Sequence, residues 1–203
     1  MYLVKTPEVL KPLASDLLWN KSREERVVYL TFDDGPTEKI TFEILSILKD
    51  FDAKATFFCI GGNVIKYPES YQALLDAGHK TANHTWNHMN GWEFSDYSYY
   101  KNILECEKVV SSRLFRPPYG RIKRSQVKGL KERFDIVMWD VLTADWRSDV
   151  SPQQCLNNVM ENTTSGSIVV FHDSEKAYKN MIYALPKSLE RLKKMGFEFA
   201  ALD

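Results

Sequence analysis

The chain has 203 residues, with 27 basic side chains against 27 acidic ones, 44% hydrophobic and 27% charged residues. That length holds one domain with a substantial core and leaves no room to expect two. The balanced charge excludes an overall field that would draw nucleic acid or an anionic membrane. No apolar run approaches the roughly eighteen residues that a membrane-spanning helix needs.

Three cysteines, Cys59, Cys106 and Cys155, are far apart and outside any CxxC pattern, so neither a disulfide framework nor a thiolate zinc site is expected. In the first twenty-five residues Pro7, Glu8, Lys11, Pro12 and Asp16 interrupt every apolar run before the core of a secretory signal can form. The sequence therefore reads as cytoplasmic, with export by a route that shows no signal left open, and a monomer is expected. Leu10, Leu13, Leu17, Leu18 and Trp19 form an apolar stripe that would cap the fold or touch a membrane surface; the capping reading is preferred and makes 1–25 a capping segment and 26–203 the domain proper.

From there the chain alternates strand and helix. A β-branched and aromatic run, 26–30, leads into Thr31-Phe-Asp-Asp-Gly-Pro36, where Gly-Pro breaks the strand. Residues 37–50 place Ile40, Ile44, Leu45, Ile47 and Leu48 at helical spacing, with Thr37 as the N-cap. Strands are expected over 54–60, 79–84, 114–117, 134–140, 167–172 and 197–200, and helices over 68–77, 95–112, 123–133, 152–163 and 175–195, the last broken at Pro186. Six or seven such units fit a parallel sheet covered on both faces.

The chemistry-bearing residues select a barrel. Asp33 and Asp34 end the first strand, His84 the third and Arg116 the fourth; Asp140 and Asp145 follow the fifth, and His172 ends the sixth. In a (β/α) barrel these C-terminal ends converge on one mouth, whereas in an open sheet they spread along an edge. A chain this short implies a distorted barrel.

Two adjacent acids in Asp-Asp-Gly are ordinary turn chemistry when taken alone. Beside His84-Thr-Trp-Asn-His88, an HxxxH pair that would share a face on a helical turn, they acquire a second meaning. A catalytic divalent ion takes three protein ligands, and Asp34 completes the set with His84 and His88. Asp33 is then left free as a general base, and Arg116, ahead of the rigid Pro117-Pro118 pair, can hold it ionised. His172, with Asp145 to stabilise its charged form, has the makings of a general acid. Metal, base and acid together describe hydrolysis of an amide. Trp146 adjoins these groups and could wall an acyl pocket, while His79 has no such partner and would pack or cap at the start of its strand.

These residues fall into five motifs: Thr31 to Pro36, His84 to His88, Arg116-Pro-Pro-Tyr-Gly120, Asp140 through Asp145-Trp146, and Ser167 through His172-Asp173. In that order they resemble the polysaccharide deacetylases with a NodB homology domain, carbohydrate esterase family 4. The resemblance implies a distorted (β/α)7-type barrel and a divalent metal on Asp34, His84 and His88, zinc first, with cobalt or nickel as alternatives. It implies Asp33 as base, Arg116 as its orienter, the Tyr119 backbone N–H on the oxyanion, and His172 tuned by Asp145 as acid. It implies a carbohydrate substrate, from which an N-acetyl group is removed. Ala82 stands where the family usually has glycine and Val170 where it usually has leucine; neither touches a ligand, and the valine bears on the shape of the acyl pocket. Two other readings are an amidohydrolase of the same fold acting on a non-sugar amide or a lipid-linked sugar, and a glycan-binding module without activity.

Overall fold

The computed structural model describes residues 3–203. Nine strands form one sheet: β1 (Leu17–Leu18), β2 (Val27–Asp33), β3 (Ala55–Cys59), β4 (Lys80–Asn83), β5 (Leu114–Phe115), β6 (Asp135–Val137), β7 (Val141–Leu142), β8 (Ile168–His172) and β9 (Glu198–Phe199). Their order is β1-β6-β5-β4-β3-β2-β8-β7, every neighbour parallel, with β9 pairing with the foot of β2. Seven helices surround it: α1 (Ile40–Asp50), α2 (Gly61–Lys66), α3 (Pro68–Asp76), α4 (Asp96–Glu107), α5 (Arg124–Leu130), α6 (Pro152–Asn162) and α7 (Tyr178–Lys194). No described helix is long and apolar enough to cross a membrane.

The order itself forces the sheet to curl. β6 stands next to one end and β7 at the other, yet only residues 138–140 join them. Four Cα steps reach at most about 15 Å, so the two ends lie close together, and the sheet is a distorted barrel as expected. Residues 4–6 fill the seam: Leu142 N–H donates to Val4 O at 2.8 Å, Thr6 N–H to Asp140 O at 2.9 Å, and Lys5 bridges antiparallel to Val141.

Alternation along β2 decides what faces the barrel interior. Phe32 turns outward to the helix layer, stacked between Phe57 at 4.9 Å and Phe171 at 5.9 Å, in a core shared with Ile44, Leu48, Leu185 and Leu189. Thr31 and Asp33 therefore turn inward. β3 is buried at all five positions, as a strand covered on both faces must be.

Several elements depart from the sequence reading. The single strand expected over 134–140 is two strands, β6 and β7, at opposite ends of the sheet. Helix α2 arises where Gly61-Gly62 suggested only a strand end, because the helix closes against Trp86, whose ring leaves no space for a side chain at Gly61. Thr37 is not the residue at the N-cap of α1, which is Lys39, but its hydroxyl still accepts from the first-turn N–H of Thr41 at 3.3 Å while donating to Asp173 at 2.8 Å. Pro186 does not break α7, because Met181, Ala184 and Leu185 before it and Ser188, Leu189 and Leu192 after it are buried on one continuous face. That packing outweighs the single backbone hydrogen bond a proline removes.

The capping stripe is split. Leu10 and Leu13 are exposed, whereas Leu17 and Leu18 pack against the core and form β1, paired with β6. What fastens the segment is charge. Asp140, fully buried, accepts from Lys5 at 2.7 Å, Lys11 at 2.8 Å, Arg23 at 3.0 Å and the Ser167 hydroxyl at 2.6 Å. Burial would raise the Asp140 carboxyl, but Arg23, Lys11 and Lys5 outweigh it and hold the group well below the usual carboxylate range. Asp140→Ala takes from Lys5, Lys11 and Arg23 the buried carboxylate they share and leaves Lys11 only Glu8 and Asn20, so urea unfolding should show a loss of about 3 kcal/mol. Because the folded carboxyl is the more acidic, its contribution is present above pH 3.8 and fades as pH falls below it. The gap between wild type and Asp140→Asn should therefore close at low pH.

Candidate active site

The strand tips bring together nine of the ten site residues named from the sequence around a cavity of about 440 Å³: Asp33, Asp34, His84, His88, Tyr119, Trp146, Val170 and His172 line it, and Asp145 sits directly behind His172. The tenth, Arg116, lies beneath Asp33 with no exposed surface. Trp139, Leu142, Pro117, Gly120, Arg121, Ser174 and Lys176 complete the wall.

Asp33 is the last residue of β2, and Asp34 leaves the strand with φ 78, so the two carboxylates diverge from one tip without facing opposite sides of the sheet. Asn63 Nδ2 holds the Asp34 carbonyl at 2.7 Å. Asp33 Oδ1 accepts from Arg116 at 2.7 Å; the same guanidinium donates to Thr31 Oγ1 at 2.8 Å, Met138 O at 3.0 Å and Val137 O at 3.3 Å, and lies 4.0 Å from the Phe58 ring centroid. Asp33 is thus fixed by a charged donor on one oxygen.

The HxxxH pair does not sit on a helix. Thr85 at φ 66 and His88 at φ 60 form a tight non-helical loop, because the backbone here is taken up by side chains: Thr85 N–H by Asn83, Trp86 N–H by Asn102, and Met89 N–H by the Thr85 hydroxyl. The start of α2 grips it from the other side, Gly61 and Gly62 N–H donating to the Thr85 and Trp86 carbonyls. The imidazoles meet all the same, 5.2 Å between centroids.

Asp34, His84 and His88 offer ligand atoms that all lie within 4.8 Å of one another. His84 Nδ1 donates to Arg116 O at 2.8 Å, which leaves the Nε2 lone pair facing Asp34. Burial pulls the His84 imidazole down to about 4, so it is neutral and able to ligate at pH 7. Asp34 Oδ1 is buried without a hydrogen bond, with His88 Nε2 at 3.1 Å and His84 Nε2 at 3.7 Å. Burial would raise the Asp34 carboxyl, yet His88, His172 and His84 outweigh it and hold it ionised. Two imidazoles and one carboxylate with an unspent buried oxygen fit a divalent cation.

His172 ends β8, directly across from Asp33 on β2. Asp145 grips it twice, Oδ1 accepting from Nδ1 and Oδ2 from the backbone N–H, both at 2.8 Å. Burial works against the charged imidazole, but Asp145, with Asp34 and Asp33 behind it, pushes His172 up to about 9. A divalent cation on Asp34 would draw that down while leaving the Asp145 contribution in place. The Trp146 ring lies 4.8 Å from His172, and the Tyr119 ring, 62% exposed with its backbone at φ 60, stands edge-on 4.5 Å from His88.

With this geometry in view, comparison with known proteins is decisive: the polysaccharide deacetylase family model matches residues 20–133. The chain belongs to that family. A peptidoglycan-N-acetylglucosamine deacetylase of Bacillus cereus is 34% identical over 91% of the chain and 90% of its own length. Another from the same species is 36% identical over 86% of the chain and 66% of its own length, and the Listeria monocytogenes enzyme PgdA is 32% identical over 98% of the chain and 41% of its own length. The chain therefore spans just under two thirds of one relative and less than half of another. Among solved structures, the Bc1960 peptidoglycan N-acetylglucosamine deacetylase, bound to an N-hydroxybenzamide, superposes with TM-score 0.89 at 33% identity over 97% of this chain and 95% of its own. A mutant of BA3943, a family pseudoenzyme with restored activity, gives TM-score 0.80 at 28% identity over 91% of this chain and 68% of its own.

Two groups in the family motifs take unexpected places. Asp140 serves the N-terminal seam and stays away from the cavity. Asp173 accepts from the Thr37 and Thr41 hydroxyls, its N–H donates to Asp33 O at 2.8 Å, and its carboxylate fills the space where a side chain on Gly35 would stand. It props the Asp33-Asp34 turn from beneath. The sequence signal for it was a second acid directly after a strand-end histidine. His79 packs as expected, its Nδ1 accepting from Ala55 N–H at 3.2 Å.

The two adjacent acids should fail differently. Asp34→Asn should lower zinc content measured after dialysis, with excess metal restoring part of the rate. Asp33→Asn should keep its metal and lose turnover by roughly two to four orders of magnitude; metal loss confined to Asp33→Asn would reverse the roles. For the acid, Asp145→Asn should cost about ten- to a hundredfold in rate. Since an imidazolium without its carboxylate gives up its proton more readily, the basic limb of kcat/KM should move to lower pH. An unmoved limb in a variant with full metal content would show that Asp145 does not tune the acid.

Proposed function

We propose that this chain hydrolyses the N-acetyl group of N-acetylglucosamine residues in peptidoglycan. The reading is carried by one observation: Asp33 on Arg116 and His172 on Asp145 stand at the tips of neighbouring strands, around one cavity that also holds the three-ligand cluster. The relatives and solved structures named as peptidoglycan deacetylases supply the substrate class. A divalent ion on Asp34, His84 and His88, zinc before cobalt or nickel, would supply Lewis acidity toward the amide oxygen and the attacking water.

The remaining steps belong to the chain. The acetyl methyl enters between Leu142, Val170, Trp139 and Trp146, the apolar part of the wall. Val170 in place of leucine leaves that end wider. Asp33, held by Arg116 on one oxygen, takes the proton from the attacking water with its other. The Tyr119 backbone N–H stabilises the developing oxyanion, the role that family resemblance gives it. His172, whose Nδ1 is committed to Asp145, protonates the departing amine from Nε2. Without that proton the amine is a poor leaving group, so the raised His172 is matched to its task.

Acetate release from chitin oligomers, peptidoglycan fragments, and lipid- or nucleotide-linked N-acetylglucosamine tests the reading. Peptidoglycan fragments should be turned over fastest. Release from a linked precursor alone would favour the amidohydrolase alternative, and release from none, in metal-loaded protein, would leave a binding module.

A further inference from the structure

A second concavity, about 410 Å³, opens beside the catalytic cavity and shares His88, Tyr119 and Arg121 with it. Arg121 is placed there by aromatic rings. Its guanidinium lies 5.3 Å from the Trp92 ring centroid and 5.9 Å from that of Tyr119. Trp92 is itself anchored, its indole N–H donating to Ile122 O at 3.2 Å and its backbone N–H to Asn90 Oδ1 at 3.1 Å. Both rings are more than half exposed, 58% for Trp92 and 62% for Tyr119.

The donors on that guanidinium are unspent. Among the described residues it makes no hydrogen bond, and its one ion-pair neighbour, Glu93 Oε1, stands at 4.0 Å and already accepts from Asn90 Nδ2 at 2.7 Å. A planar fork of five N–H groups, pre-positioned in a hollow with Glu93 as its ion-pair neighbour beyond hydrogen-bond distance, is suited to a carboxylate on a ligand. The flanking rings offer apolar faces to a pyranose.

Resting on the deacetylase reading, we infer that this concavity receives the sugar next along the chain from the one being deacetylated, and that Arg121 pairs with an acidic group on that sugar. In peptidoglycan every second sugar carries a lactyl ether ending in a carboxylate or its peptide amide; in chitin none does. Arg121 then sets a preference for acidic glycans over neutral ones of equal length.

The test compares kcat/KM on a peptidoglycan-derived tetrasaccharide with free lactyl carboxylates and on the N-acetylglucosamine tetramer. In Arg121→Gln the acidic-to-neutral ratio should fall about tenfold or more, chiefly through KM, as expected for loss of a hydrogen bond to a charged group. Arg121→Lys should restore part of it, and added salt should narrow the ratio in wild type but not in Arg121→Gln. Glu93→Gln, which removes the competing carboxylate, should move the ratio the other way. An unchanged ratio in both variants overturns the inference. A binding titration on metal-free protein, followed by tryptophan fluorescence, separates the two readings. If nothing is deacetylated but the acidic tetrasaccharide still binds in an Arg121-dependent way, the deacetylase reading falls and the subsite stands. If wild type and Arg121→Gln bind it alike, the subsite falls whatever the activity.

Discussion

A guanidinium with no exposed surface lies across the inside of the barrel, and the site is arranged around it. Arg116 leaves the end of β5, donates to Thr31 and Asp33 on β2, and reaches the Val137 and Met138 carbonyls where β6 ends. Burying a charge is costly unless its donors are met, and here Asp33, Thr31 and two carbonyls meet them with Phe58 against the plane. Burial draws the Arg116 guanidinium down, and Asp33 acts against that.

The same residue links the two halves of the chemistry. Its side chain orients the Asp33 carboxylate, and its backbone carbonyl fixes the ring of His84 so that the other nitrogen faces Asp34. A shift of the β5 tip would move Asp33 and His84 together. On the opposite side Asp145 does for His172 what Arg116 does for Asp33, gripping both ring and backbone, and Asn180 on α7 holds the Asp145 carbonyl at 2.9 Å. Rigid partners behind each reacting group keep it within the narrow geometry that catalysis demands.

Much of this was legible because strand ends are legible. Hydrophobic runs broken by Gly and Pro located the tips of β2, β4, β5 and β8, and the polar residues just past them converged as barrel topology requires. What stayed hidden depends on contacts between distant segments. Spacing gives HxxxH a helical reading, but Asn83, Asn102 and the start of α2 capture its backbone first. Proline within 175–195 signals a break, yet the apolar face it interrupts stays continuous. Asp140 sits in a catalytic-looking motif, and only the folded chain shows Lys5, Lys11 and Arg23 around it. Asp173 has no local pattern that distinguishes a prop from a surface acid.

The short connector between β6 and β7 has a mechanical meaning. Within 138–140, the Met138 carbonyl holds Arg116, its N–H donates to Leu18 O, and Asp140 gathers the cations of the N-terminal segment. Three consecutive residues thus act as a clasp between the outermost staves. A segment whose composition marks it as an appendage is part of the hoop, so strain applied near residue 5 is transmitted within a few bonds to the guanidinium that aims Asp33.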